Sequence, residues 1–287
     1  KCAILVIGNM AVALFYVENL IMTQIHPTAL IDKKAQLGKN VTVGPFCCVG
    51  PDVVLGDGVT LVSHVTIAGR TDIGAETIFY PFASIGHPPQ DLKYHGEPSQ
   101  LIIGEKNKIR EYVTLQPGTE AGGMVTKIGN NNLFMIATHV AHDCQIGNHV
   151  IMSNGATLGG HVHIEDHAII GGLSAVHQFV RIGAHAIIGG MSGVEHDVIP
   201  YGNVKGERAR LSGLNLVGLK RRGFSQATIQ SLRSAYQDLF EPSDHPLADR
   251  VDAAAEKYAQ NGDVMQLIGF IKSESSRPLC LPPSIAV

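Results

Sequence analysis

A large apolar residue, usually branched, returns at every sixth position of this chain, and that period constrains the fold more than any other feature. The register runs through Ile25, Ile31, Leu37, Val43, Val49, Leu55, Leu61, Ile67, Ile73, Phe79 and Ile85 without a slip. It resumes in phase at Ile103, Ile109 and Leu115, after the segment GHPPQDLKYHGEPSQ. A second excursion, QPGTEAGGMVTK, shifts the phase by one residue. The hexads then continue through Ile128, Phe134, Val140, Ile146, Met152, Leu158, Ile164, Ile170, Val176, Ile182, Ile188 and Val194. Gly or another small residue often follows the apolar position, as at Gly38, Gly44 and Gly147. A second small or β-branched residue stands four places on, as at Ala29, Val41, Val59, Val150 and Ala168. Each hexad reads as one short strand and one turn of a parallel β-helix. The aliphatic side chain points into a narrow prism, and Gly or Asn accommodates the corner. Three hexads close one triangular coil of eighteen residues, so residue i stacks with residue i+18.

Composition agrees with a repetitive β architecture. Glycine supplies 32 of 287 residues while aromatics make only 6% and tryptophan is absent, which disfavours an ordinary globule. Collagen is excluded because no strict every-third glycine exists. Disorder is disfavoured by a hydrophobic content of 45%. Lys and Arg total 22 against 25 Asp and Glu, so no basic surplus points to nucleic acid or an anionic membrane. Cys2, Cys47, Cys48, Cys144 and Cys280 show neither disulfide nor metal spacing and read as reduced cytosolic thiols. The apolar stretch from 2 to 17 is short for a transmembrane helix, which wants about 20 residues. It lacks a clean signal-cleavage site before Thr23. Met22 reads as the true start, because the ordered pattern begins immediately after it.

The hexads stop after Pro200. GNVKGERARLSGLN reads as a linker, and a helical period follows. Residues 225 to 240 place Ile229, Leu232, Tyr236 and Leu239 on one face, with Ser225 as N-cap. Residues 247 to 260 repeat this with Leu247, Val251, Ala254 and Tyr258, and a third segment offers Leu267, Ile268 and Ile271. The Pro-rich PLCLPPSIAV reads as loose. The expected division is an N-terminal extension at 1–22, a β-helix at 23–205, a helical domain at 206–275 and a tail at 276–287.

Polar departures from a regular prism are where chemistry can sit. The run Thr138-His139-Val140-Ala141-His142-Asp143-Cys144 is one. The eighteen-residue rise stacks Gly160 and Gln178 over His142, and His161 and Phe179 over Asp143. His139, His142, His161, His177 and Gln178 then gather near one edge. His142 reads as a general base, with a carboxylate or backbone oxygen setting its tautomer. Solvent-facing histidines are the plain alternative, and a zinc site is a competing chemical one. No serine stands in a nucleophile elbow. In the first excursion, Gln90, Asp91 and Lys93 offer hydroxyl and phosphate contacts. Lys220, Arg221 and Arg222 suit phosphate as well.

The motifs AHDC at 141–144, FASIG at 82–86, QDLKY at 90–94, AVHQF at 175–179 and GLKRRGF at 218–224 resemble the UDP-N-acetylglucosamine acyltransferases of lipid A synthesis. The resemblance covers residues 24 to 275. It implies a left-handed β-helix, a cytoplasmic homotrimer with sites between adjacent prisms, and no metal or cofactor. It also implies transfer of an (R)-3-hydroxyacyl group from acyl carrier protein to the 3-hydroxyl of UDP-N-acetylglucosamine. The family's base falls on His142, its acidic site position on Asp143, and its substrate-contacting positions on His139, His161, His177 and Gln178. The sugar-holding loop falls on Asp91 and Gln90, with Lys93 a further polar candidate. The basic positions near nucleotide or carrier fall on Lys220, Arg221 and Arg222, with Asn215 close by. The oxyanion-stabilising N–H falls on Gly160, the same residue that stacking puts over His142.

The family's chain-length stopper falls on Gly190, which implies a long acyl chain near C14, with Ile187 able to shorten the groove. Gln116 stands where relatives have histidine, and His87-Pro88 departs from the usual loop. The alternatives are an acyltransferase acting on a UDP 3-amino sugar, a zinc-dependent β-helix enzyme, and a β-helix that serves only as a scaffold or binding protein. The two non-acyltransferase alternatives share the hexad but not the combination of AHDC, QDLKY and KRRGF.

Overall fold

A computed structural model describes residues 3–7, 10–14 and 22–283. The strands Ala3–Ile7 and Met10–Leu14 pair antiparallel. From Gln24 onward each hexad position ends a short strand, from Gln24–Ile25 to Gly193–Val194. Strands join every third neighbour into three sheets of 9, 8 and 11 strands, the faces of a left-handed β-helix, and the pairing is parallel throughout except at the end of the 11-stranded sheet. Partners in the regular coils lie eighteen residues apart, as with His139 and Thr157 or Ile146 and Ile164. Both excursions leave this ladder intact. Ile73 pairs with Ile103 across the first, and Ile103 with Ile128 across the second.

The core follows from the hexad. From Val43 onward the strand-ending residues are buried, and so are Val41, Val59, Val150 and Ala168 of the second inward position. Each fully buried Leu, Ile or Phe contributes about 1.5–3 kcal/mol of transfer free energy. Ile25, Ile31 and Leu37 are only partly covered, because among the described residues no coil lies beneath them.

Glycine does a different job from the one expected at the corners. The left-handed corner conformation falls three places after the strand end, and mostly non-glycine residues adopt it, among them Asn40, Phe46, Ala137, Asp143, His161 and Met191. Glycine instead follows the strand end directly, where successive coils touch. A Cβ on Gly74 would lie 2.5 Å from the Gly104 carbonyl carbon and 2.7 Å from the Glu105 nitrogen. Coil spacing, not backbone torsion, excludes a side chain there.

The segment expected to be a linker is a hairpin. Gly202–Lys205 extends one prism face by pairing with Ile187–Ile188, and Arg210–Leu214 folds back on it antiparallel. The hairpin therefore runs across the expected boundary at 205. The helices are α1 (Leu216–Arg221), α2 (Gln226–Phe240), α3 (Leu247–Lys257) and α4 (Gly262–Lys272). The Ser225 side chain caps α2 by accepting from the Thr228 N–H, as expected. Ile229, Leu232 and Leu239 are buried and Tyr236 packs against them. Helix α1 is too short for its period to be read.

The helices are clasped to the prism by Arg181. Its Nε donates to Asp197 at 2.7 Å, and its guanidinium lies 4.5 Å over the Phe270 ring of α4. The tail expected to be loose is likewise tied down. Leu279 bridges Asp197, the Cys280 N–H donates to the Asp197 carbonyl at 2.8 Å, and Cys280 is buried. Prolines do not stop a segment from docking when its free N–H groups find carbonyl partners. Cys47, Cys48, Cys144 and Cys280 are free thiols, while Cys2 and residues 284–287 lie outside the described residues.

The two roles of small residues separate in a stability measurement. Gly74→Ala is expected to lower the unfolding free energy by about 1–3 kcal/mol through overpacking. Ala137→Gly, at a left-handed corner with φ 58°, should change it by less than about 1 kcal/mol, since relieved strain offsets added chain entropy. Denaturant titration of both variants checks the order.

Candidate active site

The prism has three kinds of corner, and one of them is built up. Both excursions leave the strand ends Ile85 and Leu115, on the same face as Val140, and both return to the next face at Gln100 and Val125. The corner 141–144 lies directly above them. A plain edge thereby becomes a walled cavity of ≈ 310 Å³, lined by Gln90, Gln116, His139, His142, Gly160 and Gln178, among others.

His142 is buried at the centre of this wall, and its Nδ1 lies 2.7 Å from Asp143 Oδ2. Asp143 takes the left-handed corner conformation, φ 61°, which turns its carboxyl inward under the excursion. The carboxylate also accepts from the Thr119 N–H at 2.8 Å and the Thr119 hydroxyl at 2.6 Å. Because Oδ2 can only accept, Nδ1 carries the proton and the Nε2 lone pair is free to act as a base.

The stacking expectation is realised. The His161 N–H donates to the His142 carbonyl at 3.0 Å, and the Phe179 N–H to the Gly160 carbonyl at 3.1 Å. The His161 and Phe179 rings stack 4.3 Å apart, and His161 meets His142 edge-on at 5.1 Å. A Cβ on Gly160 would stand 2.5 Å from His142 Cε1 and 2.7 Å from Nε2. Glycine is therefore required beside the imidazole, and its N–H has no hydrogen-bond partner among the described residues.

His139 lines the cavity with its Nδ1 2.6 Å from the Thr114 hydroxyl. Burial holds the His139 pKa below its ordinary value, aided by His142. Burial likewise lowers His161, against the pull of the Asp143 charge. Asp91 and Lys93 are near enough for their charges to act on His161, with opposite signs. Gln90 offers its N–H to Gln116 Oε1 at 3.3 Å, so the two excursions meet over the cavity.

Gln178 lines the cavity and His177 is exposed beside it. Here Arg277, from the tail, lies 2.6 Å from His177 Nδ1 and donates to the Gln178 carbonyl at 3.0 Å. Sequence reasoning missed Arg277, Thr114 and Thr119. Arg277 and Thr119 carry no local motif and reach the site through irregular fold-backs, whereas Thr114 is the ladder partner of His139 at an offset that the second excursion lengthens.

The remaining expected residues stand at other corners of the same chain. Ile187 is on the neighbouring face and Gly190 on the corner that follows it. Asn215 and Arg222 pack on the third corner, where Asn215 Nδ2 donates to the His185 carbonyl at 2.9 Å and Arg222 to the His167 carbonyl at 2.8 Å. Asn215 also caps α1. Lys220 and Arg221 are exposed in the last turn of that helix. A single chain thus unites the His142 cluster but not the chain-length or basic positions with it.

Two other arrangements compete with the cavity. His142, Asp143 and His161 place potential metal ligands within 4.8 Å of one another. Both Asp143 oxygens are already engaged by strong donors, so a cation there would have to displace them. A larger groove of ≈ 680 Å³ runs between the prism and α4, yet its Gln145 and Glu165 are spent on the Val125 carbonyl and the Ala184 N–H. Of these two cavities, the smaller joins a held imidazole to an unengaged amide.

Residues 197–280 match the family model described as UDP N-acetylglucosamine O-acyltransferase, domain 2, and 34–69 and 126–160 match bacterial transferase hexapeptide repeats. The acyl-[acyl-carrier-protein]–UDP-N-acetylglucosamine O-acyltransferase of Caulobacter vibrioides is 54% identical over 258 residues, which cover 90% of this chain and 98% of that one. The chain belongs to this family of acyltransferases. A crystal structure of a UDP-N-acetylglucosamine acyltransferase superposes with a TM-score of 0.87 at 44% identity, covering 90% of this chain and 99% of the other. The Francisella novicida UDP-N-acetylglucosamine acyltransferase gives 0.87 at 35% identity, over 91% and 95% of the two chains. The fold and the acyltransferase activity are those the motifs implied. Among the described residues no helix is long and apolar enough to cross a membrane.

The corner bearing Asn215 and Arg222 has its own titration. His149, His167 and His185 stack 4.7 Å apart, and burial pushes His185 down to about 4. Between that value and about 6.5 the unfolded chain takes up a proton that the fold refuses, so stability rises with pH there and is lost as pH falls. The melting temperature is expected to drop on acidification from pH 6.5 to 4. His185→Phe, which keeps a flat ring in the stack, should flatten that dependence in pH-resolved thermal melts.

Proposed function

We propose that this acyltransferase moves an (R)-3-hydroxyacyl group from acyl carrier protein to the 3-hydroxyl of UDP-N-acetylglucosamine, the first step of lipid A biosynthesis. The observation that carries the mechanism is the His142–Asp143 pair beside the Gly160 amide. His142 Nε2 takes the proton from the sugar hydroxyl as its oxygen attacks the thioester carbonyl. The Gly160 N–H stabilises the developing oxyanion, and the tetrahedral species collapses with loss of the carrier thiolate. Asp143 steadies the imidazolium that forms. No covalent enzyme intermediate is required. His139, His161, His177, Gln178, Gln90, Asp91 and Lys93 border the space the sugar and acyl group would occupy.

The reading extends to assembly. Ile187 stands on a different face from the His142 cluster and Gly190 on a different corner, so a chain-length floor for His142 has to come from a neighbouring copy. A cytoplasmic homotrimer with sites between prisms meets that need, and it lets Lys220, Arg221 and Arg222 of one copy face the nucleotide or the carrier at another. A 3-amino sugar as acceptor would use the same base.

Transfer from 3-hydroxyacyl carrier protein to UDP-N-acetylglucosamine should fall at least ~100-fold in His142→Ala. Near-normal turnover in a folded variant would overturn the base assignment, and one equivalent of zinc per purified chain would revive the metal reading. Mass spectrometry of products from carriers of graded length should show a preference near C14, since Gly190 presents no side chain; a preference for C10 would refute it.

A further inference from the structure

The second excursion does more than wall the cavity. Its residues 116 to 119 are buried, and Thr119 spends both its N–H and its hydroxyl on the Asp143 carboxylate, at 2.8 Å to Oδ1 and 2.6 Å to Oδ2. Asp143 has no other business at the surface, since its side chain is fully covered. Its own N–H is held by the Thr126 hydroxyl at 2.7 Å, at the point where the excursion rejoins the prism. Gly122 presses on the same carboxyl so closely that a Cβ would collide with Asp143 Cγ and both oxygens. One segment thus grips the carboxylate from three sides, while His142 Nδ1 approaches it at 2.7 Å and His161 Nε2 at 3.9 Å.

We propose that Thr119 is a positioning residue for the transfer reaction, acting through Asp143. This rests on the reading of His142 as the base. A carboxylate bonded by His142 alone could rotate about its Cβ–Cγ bond and let the imidazole turn with it. With Oδ1 held by the Thr119 amide and Oδ2 by its hydroxyl, the carboxylate plane is set. Its setting fixes the proton on Nδ1 and points Nε2 at the cavity. The hydroxyl also shields a buried charge from which water is excluded. Gly122 is the steric counterpart, since only glycine lets the turn approach this closely.

The test is steady-state transfer by the full-length chain from (R)-3-hydroxyacyl carrier protein to UDP-N-acetylglucosamine, with melting curves for each variant. Thr119→Val removes the hydroxyl but keeps the shape and the amide; kcat is expected to fall about 10- to 30-fold with both KM values within about 2-fold. Thr119→Ser restores the donor and should stay within about 3-fold of wild type. In an Asp143→Asn background the Thr119→Val cost should shrink to less than about 2-fold, because the hydroxyl then has no carboxylate to hold. A kcat for Thr119→Val within about 2-fold of wild type, a loss confined to KM, or an undiminished cost in Asp143→Asn would each overturn the proposal. Should Thr119→Val not fold, Gly122→Ala carries the test, with at least a ~10-fold loss of kcat expected and unchanged kcat refuting it. His142→Ala, run alongside, separates the two readings. Activity retained there removes the base itself, whereas an inactive His142→Ala with a fully active Thr119→Val removes only the role of Thr119.

Discussion

Everything in this molecule depends on the coil-to-coil register. A strand of two residues has no stability of its own, and it persists here because each coil donates its backbone N–H groups to the coil above while its aliphatic side chains fill the prism. Glycine after the strand end lets the coils approach, as Gly74 does against Gly104. The same register makes the site possible. Because every third hexad returns to the same face, two excursions on successive coils leave from one corner and arrive beneath His142.

That corner trades stability for chemistry. A buried carboxylate without partners costs several kcal/mol, so Asp143 is affordable only while Thr119 and His142 supply donors. Burial also keeps His139 and His161 below their ordinary pKa, favouring neutral rings around His142. On the proposed mechanism, a neutral surround would leave an imidazolium at His142 with one dominant charge partner, Asp143. The clasp of Arg181 with Asp197 and Phe270 has a different task, fastening α4 and the tail to the prism, and through that tail Arg277 reaches His177.

Legibility followed interaction range. The strand ends, the buried faces of α2 and α3, the Ser225 cap and the pairing of His142 with Gly160 all arise from periods or from contacts repeated at a constant offset. They could be counted along the chain. The hairpin at 202–214 could not, because it pairs with Ile187–Ile188 without an apolar hexad of its own. Glycine's role at the coil contact was misread as a corner role, since sequence shows where glycine recurs but not which torsion it adopts. The tail misled for a similar reason: its prolines signalled looseness, while the Asp197 carbonyl that captures Cys280 lies far back in the chain.

By itself the sequence determined the prism, its phase and the corner on which His142 and Asp143 sit, because hexad spacing leaves one inward set and one stacking neighbour for each residue. Only the tertiary structure decided how that corner becomes a site. The irregular path of residues 116–124 brings Thr119 and Gly122 onto Asp143, and no period governs such a path. The three-cornered geometry also separates Gly190 and Arg222 from His142 within one chain. A linear motif list cannot show that separation, because it records which residues are present and not the edge each one occupies.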